Sequence, residues 1–239
     1  MSEIDINYLA WDSDFFGKKI GSIFVEGTDR IVNILDKAKN LGFQLIYVFS
    51  KIDKFINDDI LKKYNGNLVD CKVVYIKNIQ AINDPILNIF EYKNDELLPE
   101  LEGLAYSSGE YSRFKVDKNF KKNDFYRMYK IWMEKSIKHK IADIVFVVKE
   151  DDKIKGMITL KNNGENGSIG LIAVLPEVQG KGYGKSLIKA CEIELLGKDI
   201  SVLEVATQLN NIQACKFYEK LGFQVKEKIN IYHFWLVNP

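Results

Sequence analysis

Histidine is almost absent: His139 and His233 are the only two in 239 residues. A histidine-rich metal centre is therefore not expected, and the reading assigns no metal. Cysteine is nearly as scarce. Cys71, Cys191 and Cys215 are widely spaced and form no C-x-x-C pair. With Cys191 and Cys215 at apolar helical positions, all three read as reduced core thiols of a cytosolic protein. An excess of one charge is missing too, since 34 Lys and Arg stand against 33 Asp and Glu. A broad nucleic-acid footprint needs clustered positive charge, so nucleic acid is not an expected partner. No apolar run is long enough for a signal peptide or a membrane span, and the N-terminus is acidic and polar. These absences lead to the expectation of a cytoplasmic protein with no membrane partner.

What is present is long enough to bury a full core and long for one small domain. Its most informative stretch is residues 168–184. The apolar run Ile169 to Leu175 predicts a buried strand, which Pro176 stops because proline has no N–H for a ladder. Gln179, Gly180, Gly182 and Gly184 then crowd a short loop, and Leu187, Ile188, Cys191 and Leu195 recur at helical spacing. Strand, glycine loop and helix start together aim bare amides and the positive end of a helix dipole at an anion. Glycines there permit positive φ and a close approach to the main chain. Two nucleotide patterns fail. Gly184-Lys185-Ser186 ends like a P-loop, but Gln179 stands where its first glycine belongs; the dinucleotide spacing G-x-G-x-x-G fails because the three glycines are two apart.

Elsewhere the chain alternates strands and helices. Two strands are expected around Trp11-Asp-Ser-Asp-Phe-Phe-Gly17, a motif that is either an apolar plug between layers or a wall of a substrate cleft. Thr28 is expected to cap a helix with Ile31, Ile34, Leu35, Ala38 and Leu41 on one stripe, ended by Gly42. Phe43 to Phe49 predicts a strand, Ile56 to Tyr64 a short helix, and Leu68 to Ile76 a second strand. The domain junction is expected within residues 79–100, which hold Pro85 and Pro99, or just after. Residues 106–120 lack a clean period; Tyr111, Arg113 and Phe114 there belong to a solvated loop or bind a flat anionic ligand, with arginine's planar fork suited to phosphate. The stripe Phe125, Met128, Tyr129, Trp132 and Met133 reads as core. Strands follow at Ile144 to Val148 and Ile154 to Leu160, and a glycine- and asparagine-rich hairpin loop spans Asn162 to Gly167. After the glycine loop and its helix, Ile200 to Thr207 is a strand, Asn210 or Asn211 caps a helix through Leu221, and two strands close the chain. A faint repeat links Leu41-Gly42 and Lys63-Tyr64-Asn65-Gly66 to Leu196-Gly197 and Glu219-Lys220-Leu221-Gly222. Four residues before the terminal glycine the first copy has Lys62 and the second Tyr218.

The pattern Gln179-x-x-Gly182-x-Gly184, followed one helix and one strand later by Asn211-x-x-Ala214-x-x-x-Tyr218-x-x-x-Gly222-Phe223, resembles the paired acyl-CoA elements of the GNAT superfamily of N-acyltransferases. The order of elements over about 140–237 agrees with it. The WDSDFFG stretch, the stretch Gly109 to Asp117 and the additional N-terminal lobe resemble the branch that acetylates dTDP-linked amino sugars. The resemblance implies an α/β (α+β) fold, a mixed central sheet flanked by helices. It implies an N-terminal lobe over residues 1–100, structural or sugar-nucleotide-binding and a degenerate copy of the same fold, and an acyltransferase domain over residues 101–239. It implies acyl-CoA as co-substrate, held by Ala173, Val174, Gln179, Gly180, Lys181, Gly182, Gly184, Lys185, Asn211, Ala214 and Phe217, with an amide near Ala173 or Val174 polarising the thioester carbonyl. Lys181 and Lys185 either touch the nucleotide phosphates or form a solvated face. Tyr218 is the expected acid for the departing thiolate, since a phenol near pKa 10 stays protonated at neutral pH; the plain alternative is a core tyrosine. The acceptor implied is an amino-dideoxyhexose on dTDP, its pyrophosphate on Arg113 and its thymine on Tyr111, Phe114, Trp11 or Phe15, with Phe16 and Ser112 in the same wall. No base is assignable, because Glu204 faces the site in only one register and His139 sits at a helix end. A homodimer fits the family. Two rivals remain open: a GNAT enzyme for a peptide, polyamine or aminoglycoside amine, and a non-catalytic acyl-CoA sensor, against which Tyr218 and the intact glycine loop count.

Overall fold

The computed structural model describes residues 6–27, 30–80 and 88–237. Its first half places β1 (Asn7–Tyr8), α1 (Ala10–Phe16), β2 (Ile20–Val25), α2 (Ile31–Asn40), β3 (Leu45–Lys51), α3 (Asp58–Lys63) and β4 (Gly66–Asn78). The WDSDFF stretch is a helix, not a turn between two strands. Ser13 explains this: its Oγ donates to Leu9 O at 2.7 Å and accepts from Ile20 N at 3.0 Å, closing one compact turn onto β2. Gly17, at φ 63°, stops that helix in the left-handed region. Thr28 and Pro85 lie outside the described residues.

The second half adds β5 (Ile89–Glu91), α4 (Pro99–Ser108), α5 (Arg113–Val116), α6 (Lys122–Ile137), β6 (Ile144–Glu150), β7 (Lys153–Asn162), β8 (Gly167–Val174), α7 (Tyr183–Leu196), β9 (Val202–Gln208), α8 (Ile212–Lys220) and β10 (Gln224–Trp235). The expected final pair of strands is one strand with a register shift between Val225 and Glu227. On one face of the sheet, Leu101, Leu104, Phe125 and Met133 of α4 and α6 pack on Val145, Val147, Met157 and Leu171. On the other, Leu187, Ile188, Cys191 and Tyr218 of α7 and α8 pack on Ile158, Ile169, Leu203, Val205 and Tyr75. None of the helices among the described residues is long and apolar enough to cross a membrane.

The ten strands of the described residues form one sheet in the order β1-β2-β3-β10-β4-β9-β8-β7-β6-β5. Its two parallel pairs are β2 with β3 and β8 with β9. Each pair begins the same path: strand, helix, parallel strand, helix, long strand. The long strands β4 and β10 then trade places. β10 lies between β3 and β4, while β4 lies between β10 and β9. The faint repeat is thus a topological one, and each half completes its sheet with the other's last strand. The copies differ where it matters. β2 and β3 stay in register from Ile20/Leu45 to Val25/Ser50, whereas β8 and β9 pair only from Gly167/Leu203 to Ile169/Val205.

Candidate active site

That early parting of β8 from β9 opens a wedge. β8 runs on to Val174 and β9 to Gln208, held by their outer neighbours β7 and β4. The main chain of Gly170 to Val174 therefore presents an unpaired edge to the wedge, where Ala173 and Val174 stand. Beyond it the chain makes a single 3-10 turn, Pro176–Val178, and Gln179 ties the loop down. Its Nε2 donates to Val174 O at 3.3 Å and its Oε1 accepts from Gln213 Nε2 at 3.0 Å, joining the end of β8 to the first turn of α8. Gly180 (φ 82°) and Gly182 (φ 87°) adopt left-handed backbone, and Gly182 caps α7 without any side-chain cap. The first-turn amides of this helix are thus left for a ligand, as an anion site requires. A Cβ on Gly184 would come within 3.1 Å of the Phe217 ring, so close packing of α7 on α8 accounts for that glycine. Lys181 is paired with Glu150 at 2.6 Å, and Lys185 lies in the first turn of α7. Asn211 caps α8, accepting from Ala214 N at 3.1 Å. The groups that the sequence assigned to a pyrophosphate and its pantetheine arm converge on one wedge with one amide-lined end, which fits acyl-CoA.

Tyr218 projects from α8 beside the point where the strands part. Its ring packs between Tyr75, Phe217 and Phe223 at centroid distances of 5.7, 5.3 and 5.6 Å. Tyr75 is the register partner of Val205, the last β9 residue paired to β8. Tyr218 is buried, 3% exposed. Burial, and to a lesser degree nearby Cys215, pushes its pKa upward, so the phenol stays protonated.

The opposite face carries a second cluster. Arg113, first residue of α5, lays its guanidinium over Tyr47 (4.1 Å to the ring centroid) and Phe114 (4.6 Å), and its Nη1 is buried without a partner. Burial lowers its pKa, while Tyr47, Asp12, Asp70 and Tyr129 act to raise it. Asp12 of α1 accepts from Tyr47 Oη at 3.2 Å. Burial raises the carboxyl of Asp12 and lifts that of Asp70 to about 6, with Arg113 pulling both down. Behind them Asp117 accepts from His233 Nδ1 at 2.7 Å and from Trp235 Nε1 at 2.9 Å. Burial drives the His233 pKa down to about 4, so the ring is neutral and its Nε2 faces the interior unpartnered.

The expected acceptor residues divide. Trp11 is 37% exposed and stacks on the half-buried Phe15 at 5.0 Å, with Lys135 over the Trp11 ring and Arg127 over that of Phe15. Tyr111 is exposed. Phe114 is not open to a base: its ring is buried among Phe16, Phe120, Tyr47 and Trp132, with Arg113 on it. Ser112 is the N-cap of α5, its Oγ accepting from Phe114 N. Phe16 packs in the same apolar cluster. Glu204 is tied to Lys226 at 2.6 Å. The residues that sequence reading missed are Asp12, Tyr47, Asp70 and Tyr129. The one local signal was Asp70, a carboxylate in an alternating strand. Among the described residues no group of His, Cys, Asp and Glu is arranged to hold a metal ion.

Comparison with known proteins bears on this geometry. A family model described as "Acetyltransferase (GNAT) family" matches residues 110–223. The dTDP-fucosamine acetyltransferase of Escherichia coli O6:H1 is 23% identical over 229 residues, covering 92% of this chain and 94% of that protein. The spore coat polysaccharide biosynthesis protein SpsD of Bacillus subtilis is 23% identical over 132 residues, 55% of this chain and 45% of SpsD, so the match spans less than half of that protein. The crystal structure of a GCN5-related N-acetyltransferase from Sphaerobacter thermophilus superposes with a TM-score of 0.58 at 12% identity, covering 98% of this chain and 76% of that one.

Proposed function

We propose a reaction for this chain from one premise: it is a GNAT-family acetyltransferase, with its family domain at residues 110–223. The family uses acyl-CoA as co-substrate. The reaction proposed is transfer of an acetyl or short hydroxyacyl group to the amine of a dTDP-linked amino-dideoxyhexose, for surface polysaccharide synthesis. The observation that carries it is the mixed charge of the side-chain cluster opposite α8. Arg113 offers a buried, unpartnered N–H, and Asp12 and Asp70 offer carboxylates beside it. An amino-sugar nucleotide bears both signs: an ammonium on the sugar and a diphosphate. Trp11, 37% exposed, and the two cations over its stack, Lys135 and Arg127, are the groups that a base and its diphosphate would meet there. The likeness to the E. coli enzyme over nearly the whole of both chains supports the same reading.

In this scheme the amides of the glycine loop and of the first turn of α7 hold the pyrophosphate, and the open edge of β8 aligns the thioester. The neutral amine attacks the thioester carbon, the C–S bond breaks, and Tyr218 gives its proton to the sulfur. It recovers a proton from the nitrogen as the amide forms. Alignment of two substrates in one wedge supplies most of the acceleration, worth several kcal/mol in well-oriented systems. Thiol release from acetyl-CoA on adding a dTDP-amino sugar tests this reading. Turnover with the sugar nucleotide well above that with polyamines, peptides and aminoglycosides supports it; the reverse order overturns it. The same two carboxylates favour one rival, a plain cationic amine, which that panel includes.

A further inference from the structure

Resting on the acyl-transfer reading above, we propose that Asp70, on a strand of the first half of the chain, is the base that takes the proton from the acceptor ammonium. The catalytic pair is then split between the halves, Tyr218 from the second and Asp70 from the first.

Strand geometry places Asp70. Val73 and Tyr75 face α7 and α8, so alternation sends Lys72 and Asp70 to the opposite face. Lys72 is the register partner of Gln208, the last residue of β9. Asp70 lies two residues beyond, about 7 Å further along, where β9 gives way to a loop whose Leu209 N donates to Cys71 O at 2.7 Å. Gln208 of β9 is near enough to favour its charged form. On its other flank the register runs Asp70, Ile231, Phe49, and Arg113 stands 5.9 Å from the Phe49 ring. Tyr218 lies on the other, α8 face of the sheet, packed on Tyr75 five residues along the same strand, about 16 Å from Asp70 along the strand axis. An ammonium entering from the α6 face gives its proton to Asp70 before the neutral amine moves on to the thioester, and the sulfur leaves towards Tyr218.

The other carboxylates at hand are engaged. Glu204 is paired with Lys226, Glu219 accepts from Tyr75 Oη, and Asp12 accepts from Tyr47 Oη. Asp70 makes no direct ion pair among the described residues. The groups facing it are Arg113 of α5, Tyr129 of α6, Gln208 of β9, and Lys72 and Cys71 of its own strand. With its carboxyl at about 6 it is ionised at neutral pH yet basic enough to accept a proton. The step balances: R–NH3+ and the Asp70 carboxylate become R–NH2 and the Asp70 carboxylic acid. The nitrogen lone pair attacks, and Asp70 returns its proton to solvent after the amide and thiol have formed.

Asp70→Asn tests this in the full-length enzyme. Expected are an unchanged KM for acyl-CoA and a kcat lower by about 10²–10⁴. The acid limb of kcat/KM near pH 6 should vanish, and the deficit should narrow as pH rises towards the amine's own pKa. A merely structural role would move none of the pH behaviour. Retention of the acid limb, or kcat close to that of the parent enzyme, overturns the proposal. The comparison is run on whichever amine of the panel the parent acylates fastest. A parent that prefers a polyamine or peptide thus defeats the sugar reading and still decides the role of Asp70.

Discussion

Replacing Asp70 by asparagine should stabilise the protein at neutral pH. The carboxyl is 9% exposed, and burial lifts its pKa from 3.8 to about 6 despite the opposing pull of Arg113 and Lys72. A shift of about 2 units at about 1.36 kcal/mol each makes the ionised form about 3 kcal/mol costlier in the fold than in the unfolded chain. The sign follows from proton counting. Between pH 3.8 and 6 the native state binds more protons than the unfolded state, so stability falls as pH rises through that window. Above it the full cost is present; below about pH 4 both states carry the neutral acid and the cost is gone. Asparagine keeps the shape without the charge. The variant should therefore gain up to about 3 kcal/mol at pH 7.5, or about 6–12 °C in Tm for a chain of this size, and gain little at pH 4. Urea unfolding of parent and variant at pH 7.5, 5.5 and 4 measures this. An Asp70→Asn protein that is less stable at pH 7.5, or whose gain does not change with pH, would refute the reasoning.

Four further outcomes are expected. Tyr218→Phe should fold and bind acyl-CoA as the parent does, and lose about 10²–10⁴ in kcat; unchanged kcat would return Tyr218 to the core. Gly182→Ala forces a side chain into left-handed backbone at φ 87°, a cost of about 1–2 kcal/mol, so calorimetry should find acyl-CoA binding weaker by about tenfold. His233 should stay neutral in NMR titration down to about pH 4; because the unfolded ring protonates near 6.5, stability should fall by about 3 kcal/mol as pH drops from 6.5 to 4. Residues 1–100 and 101–239 expressed separately should be insoluble or unfolded, since each would lose a central strand of the sheet, and co-expression should restore a soluble pair.

What could be read from the sequence was what is local. The glycine loop was legible because positive φ at Gly180 and Gly182 and an uncapped helix start depend on a few adjacent residues. The Asn211 cap and the stripe on α7 were legible for the same reason. The WDSDFFG stretch was misread because its helix is settled by Ser13 reaching back to Leu9 and across to Ile20, a tertiary matter. Phe15 and Phe16 pack inward, as an apolar plug would, and Trp11 is 37% exposed. The exchange of β4 and β10 left no trace in periodicity, since alternation names a strand's faces and not its neighbours. For that reason the cluster around Arg113 was out of reach. Asp12, Tyr47, Asp70, Arg113 and Tyr129 come from five elements and meet only because β10 carries the second half's end back to β3.

The most direct test of the central claim is mass spectrometry of the products when the purified protein meets acetyl-CoA and a matrix of dTDP-amino sugars, polyamines, aminoglycosides and peptides. The account expects an N-acetylated sugar nucleotide and stoichiometric free CoA thiol, with the Tyr218→Phe protein forming almost none. Acetylation confined to the other amines, or CoA release without any acylated product, would contradict it.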